Sequence, residues 1–124
     1  MTDWERCVEF HGHECGGLSI GYRAANYAAK LLKLENYGKG QVVCVAENNT
    51  CSVDAIRCLL GCREEWGNLQ FDLTDTQAFS FFDRISGESV RLILRPKPDG
   101  LNREGYFGYL HEAADEELFE VEEA

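Results

Sequence analysis

The spacing of apolar residues changes several times along the chain, and each change marks an element. From Asp3 to Phe10, the residues Trp4, Cys7, Val8 and Phe10 make one side of a short helix that Thr2 or Asp3 can cap and Gly12 should stop. From Gly17 to Leu34 the period is again helical: Leu18, Tyr22, Ala25, Ala28 or Ala29, and Leu32 share a face. The alanines on it let another element approach closely. Glu35-Asn36-Tyr37-Gly38-Lys39-Gly40 should end this helix and turn the chain. Gln41–Ala46, with Val42, Val43, Cys44 and Val45 in a row, reads as a buried strand. A polar corner follows. Ser52–Leu60 is helical again through Val53, Ile56, Leu59 and Leu60, with Gly61 as C-cap.

Beyond a loop from Arg63, strands are expected at Asn68–Leu73 and Gln77–Arg84. Ser89–Arg95 alternates Val90, Leu92 and Leu94 against Arg91, Ile93 and Arg95, the pattern of a half-buried strand. Pro96 to Gly100 stops it, and Asn102–Ala114 reads as a helix. The order predicts an α+β fold: a mostly antiparallel sheet packed with a long N-terminal helix, the middle of the chain also admitting one parallel crossover. With no internal repeat or linker, residues 1–124 are expected to form a single domain.

Composition narrows the class. A net charge of −10 argues against nucleic-acid binding, which needs a basic face. The acid is concentrated: His111–Ala124 holds seven acidic residues and no Lys or Arg. The expected state of that run is a solvated segment, although Leu118, Phe119 and Val121 allow part of it to dock. No stretch has the length of a membrane span, and the first residues lack a signal peptide's pattern, so a cytoplasmic protein is expected. In that compartment six cysteines read as ligands, reactive thiols or buried thiols before disulfides, and an anaerobic cytoplasm tolerates them easily.

The candidate chemistry starts at Phe10-His11-Gly12-His13-Glu14-Cys15-Gly16-Gly17. In an extended segment His11, His13 and Cys15 project to one side, offering two imidazoles and a thiolate to zinc or another transition metal. Cys15 precedes the long helix, whose free N–H groups favour a thiolate. Cys51 stands at the start of the next helix with Asp54 three residues on; Cys62 lies beyond its end. Cys51 and Cys62 are then about 15 Å apart, too far to bind one ion directly. Cys7, Cys44 and Cys58 are assigned to packing. Arg23, one turn into the long helix, is read as a surface residue or as reaching back to a site anion, and Phe79, Phe81 and Phe82 as core or dimer interface.

These motifs resemble the family of the formylmethanofuran dehydrogenase E subunit. Phe10-His11-Gly12-His13-x-Cys15-x-Gly17-Leu18 running into Gly21-Tyr22-Arg23-Ala24-Ala25 is similar to its core signature. Glu47-Asn48-x-x-Cys51-x-Val53-Asp54-Ala55-Ile56 followed by Gly61-Cys62 is similar to its second. Gly67-Asn68-Leu69, Ala78-Phe79-x-Phe81 and Glu117-Leu118-Phe119-Glu120-Val121 match further blocks in the same order. The resemblance implies an α+β core that forms an intertwined homodimer, without the C-terminal zinc-finger module of some members. Some members are encoded beside a molybdenum or tungsten formylmethanofuran dehydrogenase and others occur in bacteria without that pathway, so a molybdenum/tungsten oxidoreductase is a candidate partner.

The chain departs from the family at two places. Gly16 stands where Pro is usual, loosening the loop before the helix. Arg63, Glu64-Glu65 and Trp66 stand where Thr and a Gly-Lys pair are common, replacing a cation by acids and an aromatic, which implies a different ligand. The leading expectation is a dimeric metal-binding protein using His11, His13 and Cys15, with Cys51, Asp54 and Cys62 as candidate catalytic or completing residues. An accessory metal- or sulfur-handling role and a thiol-redox role are the alternatives. The absence of a CxxC pair weighs against the last.

Overall fold

The structure is a computed structural model that describes residues 1–35 and 40–123. Helix α1 (Asp3–His11) begins in a reciprocal cap: the Thr2 hydroxyl accepts from the Glu5 N–H while the Glu5 carboxylate accepts from the Thr2 N–H. It ends at Gly12, whose φ of +104° lets its N–H return to the Val8 carbonyl. Helix α2 (Gly16–Leu31) starts at once, with Cys15 as its N-cap. The long helix is therefore the second one; the N-terminal helix is short, at nine residues, and the expected long N-terminal element is corrected accordingly. The turn expected after α2 falls on 36–39, outside the described residues.

Strand β1 (Val42–Ala46) leads through helix α3 (Cys51–Leu60) and a 3-10 turn (Glu64–Trp66) to β2 (Leu69–Phe71). Then come β3 (Ala78–Asp83), β4 (Ser89–Leu94), α4 (Arg103–Glu112), α5 (Asp115–Leu118) and β5 (Phe119–Glu123). The sheet order is β2-β1-β3-β4-β5. Among the described strands only β1 and β2 run parallel, joined by α3; the other pairs are antiparallel. The sheet is mostly antiparallel as expected, with the one crossover that the middle of the chain admits.

The acidic end docks in part, as Leu118, Phe119 and Val121 allow: Phe119–Glu123 pairs with β4 from Leu94↔Phe119 to Val90↔Glu123, and Leu118 and Phe119 are buried, while residues 120–123 stay exposed to solvent. Two of its charges are held locally, Glu122 by Arg91 at 2.8 Å and Asp115 by Arg23 and Lys30 at 3.0 and 2.9 Å. Edge strands that carry charge resist pairing with another chain.

The main core joins α2 and α3 to the sheet through Val53, Ile56, Phe79, Phe81, Leu92 and Phe119. Phe82 points the other way and stays half exposed. A smaller cluster of Cys7, Leu18 and Ala55, flanked by Trp4 and Val8, ties α1 to α2 and α3. Among the described residues no helix is long and apolar enough to cross a membrane.

Candidate metal centre

Two glycines bring the starts of α2 and α3 together. Gly17 and Gly21 lie four residues apart on one face of α2. A Cβ built on Gly21 would sit 1.9 Å from the Ser52 carbonyl oxygen, and one on Gly17 3.1 Å from the Cys51 Cβ. At Gly21 only glycine permits that approach, and at Gly17 a side chain would be tight. Ser52 seals it, its hydroxyl donating to the Gly17 carbonyl at 2.8 Å. Cys15, before the first turn of α2, thereby meets Cys51, the first residue of α3. The Cys7–Leu18–Ala55 cluster fixes α1 across this junction, so the last residue of α1, His11, points into it.

The ligand atoms of His11, His13, Cys15 and Cys51 all lie within 4.8 Å of one another. Tetrahedral zinc, with Zn–S about 2.3 Å and Zn–N about 2.0–2.1 Å, sets its donors roughly 3.3–3.8 Å apart. The 3.8 Å between Cys15 Sγ and His11 Nε2 already falls there. Side-chain adjustments of up to about 1.5 Å bring the remaining donors to that spacing. Two imidazoles and two thiols are a donor set for zinc or another borderline-soft metal. His13 is the exposed member, its ring tilted against His11 at 4.5 Å between centroids.

His11 is oriented from behind. Its Nδ1 lies 2.6 Å from Asp54 Oδ2. A carboxylate only accepts, so Nδ1 carries a proton, and Nε2, turned toward the Cys15 sulfur, is the nitrogen left to a metal. Arg57 donates to the other Asp54 oxygen at 2.8 Å and to both Glu64 oxygens at 3.1 and 2.8 Å. A hydrogen-bonded chain thus runs from the surface through Glu64, Arg57 and Asp54 to His11. Burial, then the hydrogen bond and charge of Cys15, push the Cys51 thiol above its ordinary pKa; the backbone at the head of α3 pulls the other way. A cation between the sulfurs reverses that balance, since it stabilises both thiolates.

The sequence candidates separate clearly. His11, His13, Cys15 and Cys51 come together, and Asp54 stands directly behind His11. The extended segment expected for the first three is not what converges them: His11 ends a helix, Gly12 reverses the chain and Cys15 caps the next helix. Cys62 lies apart. It is fully buried beyond the far end of α3, its thiol donates to the Val42 carbonyl at 3.4 Å, and burial pushes its pKa up to about 12. Cys7 and Cys44 are core residues as expected, and Cys58 sits at the edge of the smaller cluster against Cys7. Arg23 reaches no site anion; it donates to the carbonyls of Leu110 and Ala113 and to Asp115. Arg57 and Glu64 were not foreseen. The Asp54-x-x-Arg57 spacing, which places both on one helix face, was the signal for the first of them.

The fold and this group define the class: an α+β sheet domain with a two-histidine, two-cysteine cluster held where two helices begin. Comparison with known proteins makes it specific. The family described as FmdE, molybdenum formylmethanofuran dehydrogenase operon, matches residues 10–122, and the chain belongs to that family. Among solved structures it is similar to a tungsten formylmethanofuran dehydrogenase FmdE-like protein from Syntrophus aciditrophicus. The TM-score is 0.74 at 26% identity, over 97% of this chain and 68% of that one. No curated protein matches the chain.

Proposed function

We propose that this chain is a zinc-binding member of the family, acting as a homodimer in a reducing, anaerobic cytoplasm, with Cys15, Cys51, His11 and His13 as the ligands. The observation that carries the reading is the mutual 4.8 Å approach of four donor atoms drawn from three helix ends and the bend between the first two helices. The Asp54 hydrogen bond to His11 supports it, because metal-binding imidazoles are commonly oriented by a carboxylate on the other nitrogen. With all four donors bound the zinc shell would be closed, so the ion would tie the helix ends together; Lewis-acid chemistry there would require the exposed His13 to give up its place. The protein's own part is to hold His11 in the correct tautomer and to keep the two sulfurs adjacent.

Elemental analysis of the purified protein tests this. Wild type is expected to carry one zinc per chain, and His11→Ala and Cys51→Ser to lose most of it. Unchanged metal in both variants would end the proposal. Alkylation separates it from a thiol-redox role: Cys15 and Cys51 should become reactive once a chelator strips the metal, whereas protection that survives chelation points to redox chemistry. Light scattering on the purified chain tests the dimer.

A second reading is an accessory protein for a molybdenum or tungsten oxidoreductase. It draws on the family's description and on the naming of the Syntrophus relative. Affinity purification from the native host decides it: a stoichiometric large partner favours this role, and a lone dimer disfavours it.

A further inference from the structure

A cavity of about 830 Å³ adjoins the cluster on its Cys15 side, between the first turns of α2 and α4. That volume lies within the range of small-molecule sites. Ile20 and Leu110 form its apolar floor, and Tyr106 and Phe107 supply aromatic walls. Lys97 and Arg103 stand at its rim.

Several cations of the chain are already committed. Arg23, Lys30, Arg57 and Arg91 are each tied to carboxylates. Among the described residues Lys97 and Arg103 form no ion pair, although acids outnumber bases in the chain. The cavity wall also carries two acids, Glu14 and Glu104. Glu14 accepts from the Trp4 indole at 3.4 Å, and Glu104 lies in the first turn of α4, where the helix dipole favours an acid. Lys97 already lies over the Tyr106 ring, 5.8 Å from its centroid. Gly16 and Gly17, in the first turn of α2, have N–H groups without an intrahelical acceptor and present no side chain to the cavity.

We propose that this cavity binds a small carboxylate with a flat, unsaturated body. The body lies between the aromatic walls and the apolar floor, and the carboxylate is held by Lys97 and Arg103. The polar end opposite it reaches toward Cys15. That last placement rests on the reading of Cys15 as a metal ligand; the cations, the walls and the floor do not.

Benzoate is a suitable probe, followed by amide NMR on the whole chain with and without zinc. Saturable binding in the millimolar range is expected, with shifts centred on Gly16, Gly17, Tyr106 and Leu110. Because Lys97 and Arg103 are surface residues, Lys97→Gln/Arg103→Gln should fold normally and weaken benzoate at least about tenfold. Benzyl alcohol, of the same shape without the charge, should bind more weakly than benzoate. Absence of saturable binding, shifts elsewhere, or equal affinity in the double variant would overturn the site. A carboxylate probe extended by a second polar group should bind more tightly to zinc-loaded protein; equal affinity with and without zinc overturns the placement beside the ion. Cys15→Ser that keeps its zinc defeats the metal reading alone, and benzoate's dependence on Lys97 and Arg103 then still decides the cavity.

Discussion

The close approach of α2 and α3 gives the sharpest mutational test. In Gly21→Ala the new Cβ would stand 1.9 Å from the Ser52 oxygen, 2.6 Å from its carbonyl carbon and 2.7 Å from its Cα. All three are backbone atoms, so no rotamer change relieves the clash. Restoring an ordinary contact of 3.4 Å requires the helices to part by about 1.5 Å. Overpacking of this kind costs up to about 3 kcal/mol, and alanine's better helix propensity returns about 1 kcal/mol. A net loss of roughly 2 kcal/mol lowers the melting temperature by about 8 °C in a domain of this size. The same displacement separates Cys51, next to Ser52, from Cys15, so zinc content should fall as well. Gly108→Ala is the control. It lies inside α4 with nothing within 4 Å of the new Cβ, and should be neutral or stabilising by about 0.5–1 kcal/mol. Thermal denaturation and metal analysis on the same samples read both effects. If Gly21→Ala melts with wild type and keeps its zinc, the reasoning about how the two helix starts are joined is refuted.

Further outcomes follow from the surrounding structure. Asp54→Asn should weaken zinc about 10- to 100-fold in a chelator competition, because the carboxylate no longer accepts from the His11 Nδ1 proton; unchanged affinity would remove Asp54 from the centre. Cys62→Ala should keep its full zinc content while losing about 1–2 kcal/mol in urea, since its thiol packs in the core. A loss of metal would bring Cys62 back to the site. For Asp115, burial raises the carboxyl pKa, but the hydrogen bonds and charges of Lys30 and Arg23 more than offset it and hold it below the ordinary value. Its contribution is therefore complete above the unfolded value near pH 4 and is lost as pH falls through the lower folded value. Over that interval wild type should lose more stability than Asp115→Asn; parallel curves would contradict the ion pairs at 3.0 and 2.9 Å.

Much of the architecture is legible in the residues because local signals agree with tertiary packing. Val42–Ala46 reads as a buried strand and is one; Gly12 and Gly61 stop helices through positive φ. Where the reading departs from the structure, a local signal was overruled from a distance. Phe119 and Val121 alternate with Glu120 and Glu122, a strand pattern hidden by the density of acid, and the strand forms because β4 offers an edge and Arg91 takes up the Glu122 charge. Arg23 looks like a surface residue until α4 ends above it and gives it two carbonyls. At the centre, the ligand types could be read from spacing, with Cys51 among the candidates to complete the shell, but its direct meeting with Cys15 within one chain could not. It depends on Gly17 and Gly21 admitting another helix, which is a long-range packing event. The cavity is similar: Lys97, Arg103 and Tyr106 meet Gly16 only after the sheet has brought α4 back to α2.

The central claim is that one ion is held by both cysteines and both histidines. X-ray absorption at the zinc edge on the purified protein reads it directly. Two sulfurs at about 2.3 Å and two nitrogens at about 2.0–2.1 Å are predicted, with one sulfur lost in Cys51→Ser. A shell of light atoms only, or a sulfur count unaffected by Cys51→Ser, would contradict it.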